Sequence, residues 1–344
     1  MNPICGFTAS CPPRSSLPLL QFVKTISNTV VEFVYEPLSR LPCGYHYVVN
    51  TPREATTRML VSFLALAVGL SAADALPITG LAHVGFRVSD LEKARAFYTG
   101  VLGYHEAYNL KDSTGRVALA FFKVNENQCI EISPGLPPNQ VVRFTHVAFS
   151  TSDIEKLHGM LEARALKIGS IQTGRDGNRN FGLRDPENNV IEFVQYMPGS
   201  MLSKARGKYL QGRISTHLYH AGITVANTDS TLAFYRDTLG FVEFWRGGPA
   251  GEKTAWINLR TPGTRGDYIE LMLYSGTPTR EQDGSMHHIC LEVPDIQAGR
   301  KTALSRHYGD PKIQPRVGRN RKWQLNLFDP DGTRVELMEP KTQP

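Results

Sequence analysis

Hydrophobic and polar positions alternate in one pattern at four places along this chain. The segments read HVGFRVSD near Gly80, HVAFSTSD near Thr145, HAGITVAN near Tyr219 and HICLEVPD near His287. In the first, His83, Gly85 and Arg87 share one face while Val84, Phe86 and Val88 share the other, the two-residue period of a strand with one face on a core. His146, Ala148 and Ser150 oppose Val147 and Phe149 in the second. His220, Gly222 and Thr224 oppose Ala221, Ile223 and Val225 in the third, and His288, Cys290 and Glu292 oppose Ile289, Leu291 and Val293 in the fourth. One face suits a covering helix, the other a cavity. After the first strand, Ser89-x-x-Glu92 reads as a capping box, and Leu91, Ala94, Tyr98 and Val101 recur at helical spacing until Gly103 offers a stop. The third copy repeats this, with Phe234-Tyr235 as far beyond His220 as Phe97-Tyr98 lies beyond His83.

Each repeat closes on a strand with a glutamate inside an apolar sequence: CIEIS, VIEFV, YIELM and VELME, carrying Glu131, Glu192, Glu270 and Glu336. Ile130 and Ile132 point away from Glu131, which puts the carboxylate on the face of the histidines. The second and fourth repeats share a turn, beginning Asp185-Pro186 and Asp329-Pro330, each seven residues before its glutamate. The reading is an α+β chain of four βαβββ modules paired into two cupped mixed-sheet domains. A first domain spans 79–197, a linker 198–216 and a second domain 217–340. The linker's Lys204, Arg206, Lys208 and Arg213 read as a solvated connecting segment.

Composition adds exclusions. With 344 residues, 41% hydrophobic, 20% charged and a net charge of +6, the chain has room for about two cored domains and no basic runs with interleaved aromatics, so nucleic acid is not an expected partner. Cys5, Cys11 and Cys43 stand apart from Cys129 and Cys290, and no disulfide framework or CxxC site follows. Residues 59–75 carry an apolar run followed by small residues, as in a secretory signal peptide. The expectation is that translation starts at Met59, that 1–58 is a non-native or disordered extension, and that the protein is exported, periplasmic or secreted; with another start it is cytoplasmic. That run is too short for a comfortable bilayer span, so no stable membrane span is expected.

Two histidines and two glutamates therefore fall on the inner wall of each cup: His83, Glu131, His146 and Glu192, then His220, Glu270, His288 and Glu336. Buried carboxylates cost too much to recur without compensation. A divalent cation supplies it, since imidazole and carboxylate suit Zn, Ni, Co, Mn or Fe(II) with positions left for water or substrate.

These residues, with HVGFRVSDLEKARAFYTGVLGY repeated as HAGITVANTDSTLAFYRDTLGF and combined with DPENNVIEF and DPDGTRVEL, closely resemble the vicinal oxygen chelate superfamily over about residues 79–340. The resemblance implies paired βαβββ modules and a metal that chelates neighbouring oxygens of a small-molecule substrate. Its glyoxalase I-like branch implies lyase, isomerase or epimerase chemistry, with Glu192 or Glu131 as the base that moves a proton between adjacent carbons, Glu336 as the corresponding candidate in the second domain, and Arg87 as an anchor for an anionic substrate group. Its extradiol dioxygenase branch implies ring cleavage at His220, His288 and Glu336; against that branch, the chain has Gln324 and Asn326 where those enzymes place a tyrosine, and Glu270 is a fourth ligand they lack. Gln324 and Asn326 alternate with Leu325 and Leu327, so they are expected to face the second cavity. A third branch implies a small-molecule binding protein of the bleomycin resistance type. Four modules in one chain complete two cups without a partner, which favours a monomer over a homodimer.

Overall fold

The computed structural model describes residues 26–27, 30–34, 46–48, 75–249, 253–263, 265–276, 279 and 284–343. The chain divides into two compact units, 1–74 and 75–344. Of the first, only strands β1 (Ile26–Ser27), β2 (Val30–Val34) and β3 (His46–Val48) are described, paired antiparallel in that order. The rest of the expected extension at 1–58, and the expected leader at 59–75 apart from Ala75, lie outside the described residues.

Residues 75–344 form two eight-stranded mixed sheets. Strands β4 (Ile78–Val88), β5 (Glu106–Lys111), β6 (Val117–Lys123), β7 (Cys129–Pro134), β8 (Phe144–Thr151), β9 (Gln172–Thr173), β10 (Arg179–Arg184) and β11 (Val190–Gln195) make the first, in spatial order β5-β6-β7-β4-β8-β11-β10-β9. The second, from β12 (Leu218–Val225), β13 (Val242–Gly247), β14 (Trp256–Arg260), β15 (Tyr268–Leu273), β16 (His288–Glu292), β17 (Arg316–Val317), β18 (Lys322–Phe328) and β19 (Arg334–Thr342), has the equivalent order. Helices α1 (Leu91–Arg95), α2 (Ile154–Ala163), α4 (Thr228–Leu232) and α5 (Ile296–Ser305) each follow the first strand of a module, and a short α3 (Met201–Lys204) follows the first sheet. The α+β architecture of four βαβββ modules in two cupped sheets is therefore present. Val84, Phe86, Val88, Ile130, Ile132, Ile223 and Leu291 lie in one apolar core that runs through both domains. Each such side chain contributes about 1.5–3 kcal/mol on burial.

The first helix starts one residue later than the capping-box reading places it. Asp90 is the N-cap, its carboxylate accepting from the backbone N–H of Glu92 and Lys93, because its short side chain reaches the first free amides directly. The Phe-Tyr segments, Ala96–Val101 and Ala233–Thr238, are wider π-helical turns. In them Leu102 N donates to Phe97 O and Leu239 N to Phe234 O, five residues back. The buried Tyr98 and Tyr235 then donate their hydroxyls, at 3.3 and 2.9 Å, to Asp329 and Asp185 of the other domain's Asp-Pro turn. These turns thus tie the two sheets together in a pseudo-symmetric exchange.

A second exchange joins β4 to β12. Gln128 accepts from Leu218 N at 2.9 Å and donates to Leu218 O at 3.0 Å. In return Asp267 accepts from Leu81 N at 2.8 Å while Arg265 donates to Leu81 O at 2.7 Å. Among the described residues no helix is long and apolar enough to cross a membrane.

Candidate metal centre

Strand register assembles each site from two neighbouring rows of the sheet. In the first domain Gly85 pairs with Glu131 on β7 and His146 on β8, while His83 pairs with Cys129 and Ala148, and Ala148 in turn with Glu192 on β11. In the second, Gly222 pairs with Glu270 and His288, His220 with Tyr268 and Cys290, and Cys290 with Glu336. All eight side chains stand on the inner faces because they keep the alternation of their strands.

The glycine two residues after the first histidine makes the convergence possible. A Cβ on Gly85 would come within 2.4 Å of the His146 ring, and one on Gly222 within 1.9 Å of the His288 ring. Without it, the second imidazole folds across the strand until His83 Nε2 and His146 Nε2 are 2.9 Å apart and His220 Nε2 and His288 Nε2 are 3.0 Å apart.

The carboxylates complete the sets. Glu131 and Glu192 each place an oxygen 3.5 Å from His83 Nε2, and lie 3.7 and 3.4 Å from His146 Nε2. His220 lies 3.9 Å from Glu270 and 3.4 Å from Glu336, and His288 lies 3.5 and 3.7 Å from the same pair. Donors about 2.0–2.2 Å from one ion stand roughly 3–4 Å from one another, so the nitrogen and oxygen atoms are spaced to hold a divalent metal. His220, Glu270, His288 and Glu336 offer atoms all within 4.8 Å of one another, as do His83, His146 and Glu192, with Glu131 approaching through the two imidazoles. The far ring nitrogens are partly anchored: His146 Nδ1 is 3.0 Å from Thr145 Oγ1, and His288 Nδ1 is 2.7 Å from the carbonyl of Met286.

The charges respond to this crowding. Burial favours the neutral imidazole and pushes His146 and His220 down. It acts on His83 too, but the hydrogen bond and charge of Glu192 outweigh it and leave that pKa raised. Burial disfavours the ionised Glu192 and Glu336, yet their imidazole partners hold both below the usual carboxylate range. Burial holds the Cys129 thiol up at about 12, which removes it as a nucleophile.

A cavity of about 270 Å³ opens onto His83, Glu131, His146 and Glu192. It is walled by Tyr108, Phe121, Tyr196 and Leu202, with Asn178 and Asn180 at one side. In the second cup Tyr268 occupies the place of Cys129, and its ring lies 4.5 Å from that of His220. Arg334, where the first domain has Val190, brings Nη2 within 2.6 Å of His288 Nδ1 and 2.9 Å of Nε2.

Of the substrate contacts expected from sequence, Arg87 is exposed and does not line the cavity. Gln324 donates to Asn320 at 3.4 Å. Asn326, beside Glu336, buries an amide oxygen that has no partner among the described residues. Sequence reasoning passed over Gly85 and Gly222 as chemistry, the aromatic wall and Arg334. Position-by-position comparison of the repeats carried a signal for the glycines and for Arg334, but none for the wall.

The model of the Glyoxalase/Bleomycin resistance protein/Dioxygenase superfamily matches residues 80–193 and 217–337. The chain belongs to this superfamily. It is 28% identical over 218 residues to glyoxalase I of Saccharomyces cerevisiae, a match covering 57% of this chain and 63% of the yeast protein, just under two thirds of that relative. It is 34% identical over 135 residues to the ethylmalonyl-CoA/methylmalonyl-CoA epimerase of Cereibacter sphaeroides, covering 35% of this chain and 95% of the epimerase. Among solved structures, the 2,3-dioxygenase LapB from Pseudomonas sp. KL28 superposes with a TM-score of 0.59 at 20% identity, covering 77% of this chain and 94% of that one. At that identity the likeness concerns the fold.

Proposed function

We propose that this superfamily member is a metal-dependent enzyme whose first cup moves a proton between adjacent positions of a small substrate carrying two neighbouring oxygens, as an isomerase, lyase or epimerase does. The observation that carries this reading is the pairing of two carboxylates with two imidazoles at the wall of a cavity. A divalent ion held by His83, His146, Glu192 and Glu131 would supply Lewis-acid stabilisation of negative charge on a substrate oxygen. The proton work falls to the carboxylates. Glu192 is the better placed base, because its side chain is 22% exposed against 11% for Glu131 and both face the cavity. Glu131 and the imidazoles hold the site's geometry, and the apolar walls exclude water.

Sequence likeness to a glyoxalase I and an epimerase supports this chemistry, whereas likeness to the dioxygenase is one of fold. Ring cleavage at His220, His288 and Glu336 has less support, because Tyr268 lies against His220 and Glu270 adds a fourth donor. A binding protein would use the same cavity without exchanging protons.

The test loads the protein separately with Zn, Ni, Co, Mn and Fe(II) and incubates it in D2O with small 2-hydroxy ketones. Proton NMR then reads exchange at the carbon beside the carbonyl. Metal-dependent exchange that disappears in Glu192→Gln supports the proposal. Oxygen uptake with catechols by the iron-loaded protein, without exchange, would replace it with the dioxygenase reading, and binding with neither activity would replace it with a binding protein.

A further inference from the structure

The first cup's wall says more about its occupant than the metal donors do. Leu110, Phe121, Cys129 and Leu202 form an apolar cluster of their own, apart from the core beneath the sheets. They line the cavity instead of filling it. Apolar groups facing an unfilled space forgo dispersion contacts, which an apolar ligand restores. Tyr108 stacks on Phe121 with centroids 4.5 Å apart and planes 17° apart, and Phe121 in turn stands edge-on to His83 at 6.1 Å. Aromatic surface thus extends from the wall up to a metal-donor histidine.

The wall is held in place. Leu202 comes from α3, and the segment behind it is fastened by the fully buried Lys123, whose Nζ donates to Ala205 O at 2.6 Å and Lys208 O at 3.1 Å. The basic side chains Lys204, Arg206 and Lys208 meanwhile stand exposed. At about 270 Å³ the cavity falls just below the usual span of small-molecule sites, about 300–1,000 Å³, which limits it to a small occupant. Outside the metal-donor set, the charged side chains in its lining are Arg175 and Asp176, one of each sign. Arg175, the one lysine or arginine among the described lining residues, donates to Lys111 O, and Asp176 accepts from Asn178. A lining with one cation, balanced by a neighbouring carboxylate, gives a polyanionic carrier little to hold. Asn180, half-buried, offers a neutral amide.

We infer that the first cup takes a small, uncharged carbonyl compound with a neighbouring oxygen and a flat aryl substituent, its ring received by Tyr108, Phe121 and Tyr196; this rests on the proton-transfer reading above. Burying an aryl group against these rings is expected to favour it over a methyl group by about tenfold or more in affinity.

Isothermal titration calorimetry of the metal-loaded protein with 2-hydroxyacetophenone and with hydroxyacetone reads that preference directly. The expected result is at least about a tenfold difference, falling below about threefold in Phe121→Leu and in Tyr196→Leu, with circular dichroism and metal content confirming that each variant is folded and loaded. Equal affinities in the native protein, or a preference unchanged in a folded variant, would overturn the inference. Aryl preference without deuterium exchange leaves this inference standing and removes the proton-transfer reading; exchange of both ketones without preference does the reverse.

Discussion

The two cups share a backbone plan and a donor set and differ in what surrounds the donors. Around the first stand Cys129, Gly182, Val190 and Val194; at the corresponding places of the second stand Tyr268, Asn326, Arg334 and Met338. The first therefore keeps a cavity against its carboxylates, while in the second both histidines are fully buried and a guanidinium lies against one of them. The two halves match at the ligands and differ at the neighbours. A shared ligand set thus predicts shared metal binding more securely than shared turnover.

The largest difference is expected in activity. Glu192→Gln keeps the size and removes the base, so proton exchange should fall by about 10²–10⁴-fold, whereas Glu336→Gln should change it by less than about threefold. Steady-state exchange rates of the two variants, each checked for metal content, decide the matter. Equal losses would make the cups catalytically equivalent and dissolve the distinction between them.

Next comes metal occupancy. Gly85→Ala and Gly222→Ala each place a methyl group against the second histidine of their own cup, at 2.4 and 1.9 Å from the ring. Such overpacking costs about 1–3 kcal/mol or is relieved by turning the ring away from its partner. Either route should cut metal affinity by roughly a hundredfold in the altered cup alone, seen by elemental analysis as loss of one equivalent after dialysis. Retention of both metals by Gly222→Ala, the tighter case, would show that the glycine is not what lets the imidazoles meet.

Much of this was legible in the sequence because strands report their own faces. The alternation around His83, His146, His220 and His288 places the four histidines, and an isolated glutamate between isoleucines or leucines fixes its own side. The π-helical Phe-Tyr turns were visible only as a repeated spacing, since their hydroxyls find partners in the other domain, at Asp329 and Asp185. The cavity wall was not legible, because Tyr108 and Leu202 reach it from an edge strand and a connecting helix whose positions follow from tertiary packing. Arg87 shows the limit of periodicity: it lies on the same strand face as His83 but near the strand's end, where the side chain reaches solvent.

Arg334 sharpens the comparison further. Its positive charge beside His288 opposes a second cation at the same site, and the buried Nε has no partner among the described residues. Arg334→Val, which installs the residue of the first domain, should raise the second cup's affinity for a divalent ion by about tenfold and leave the first unchanged. Competition against a chelator resolves the two sites. An unchanged or weaker second site would mean that the arginine supports the donors instead of opposing the ion.

The smallest expected effect lies at the seam between the sheets, where the halves solve one problem with different chemistry. Gln128 clamps Leu218 with a neutral amide, whereas Asp267 and Arg265 clamp Leu81 with charges. His217, at the place of Gly80, joins the charged half through Asp267 at 2.5 Å and Glu292 at 3.1 Å. Burial alone would lower its pKa, but hydrogen bonds and charge from those two carboxylates raise it to about 9 from an ordinary 6.5. A pKa raised in the folded state stabilises fully below the unfolded value, and that contribution declines as the unfolded chain loses its proton first. Stability should therefore fall between about pH 6.5 and 9, by about 1 kcal/mol after allowance for the ring's partial solvent contact. His217→Gln should remove that fall while leaving the clamp on Leu81 to Asp267 and Arg265. Urea midpoints measured across the window test this: a native protein as stable at pH 9.5 as at pH 6 would mean that the charged half of the seam holds no more tightly with its imidazolium than without it.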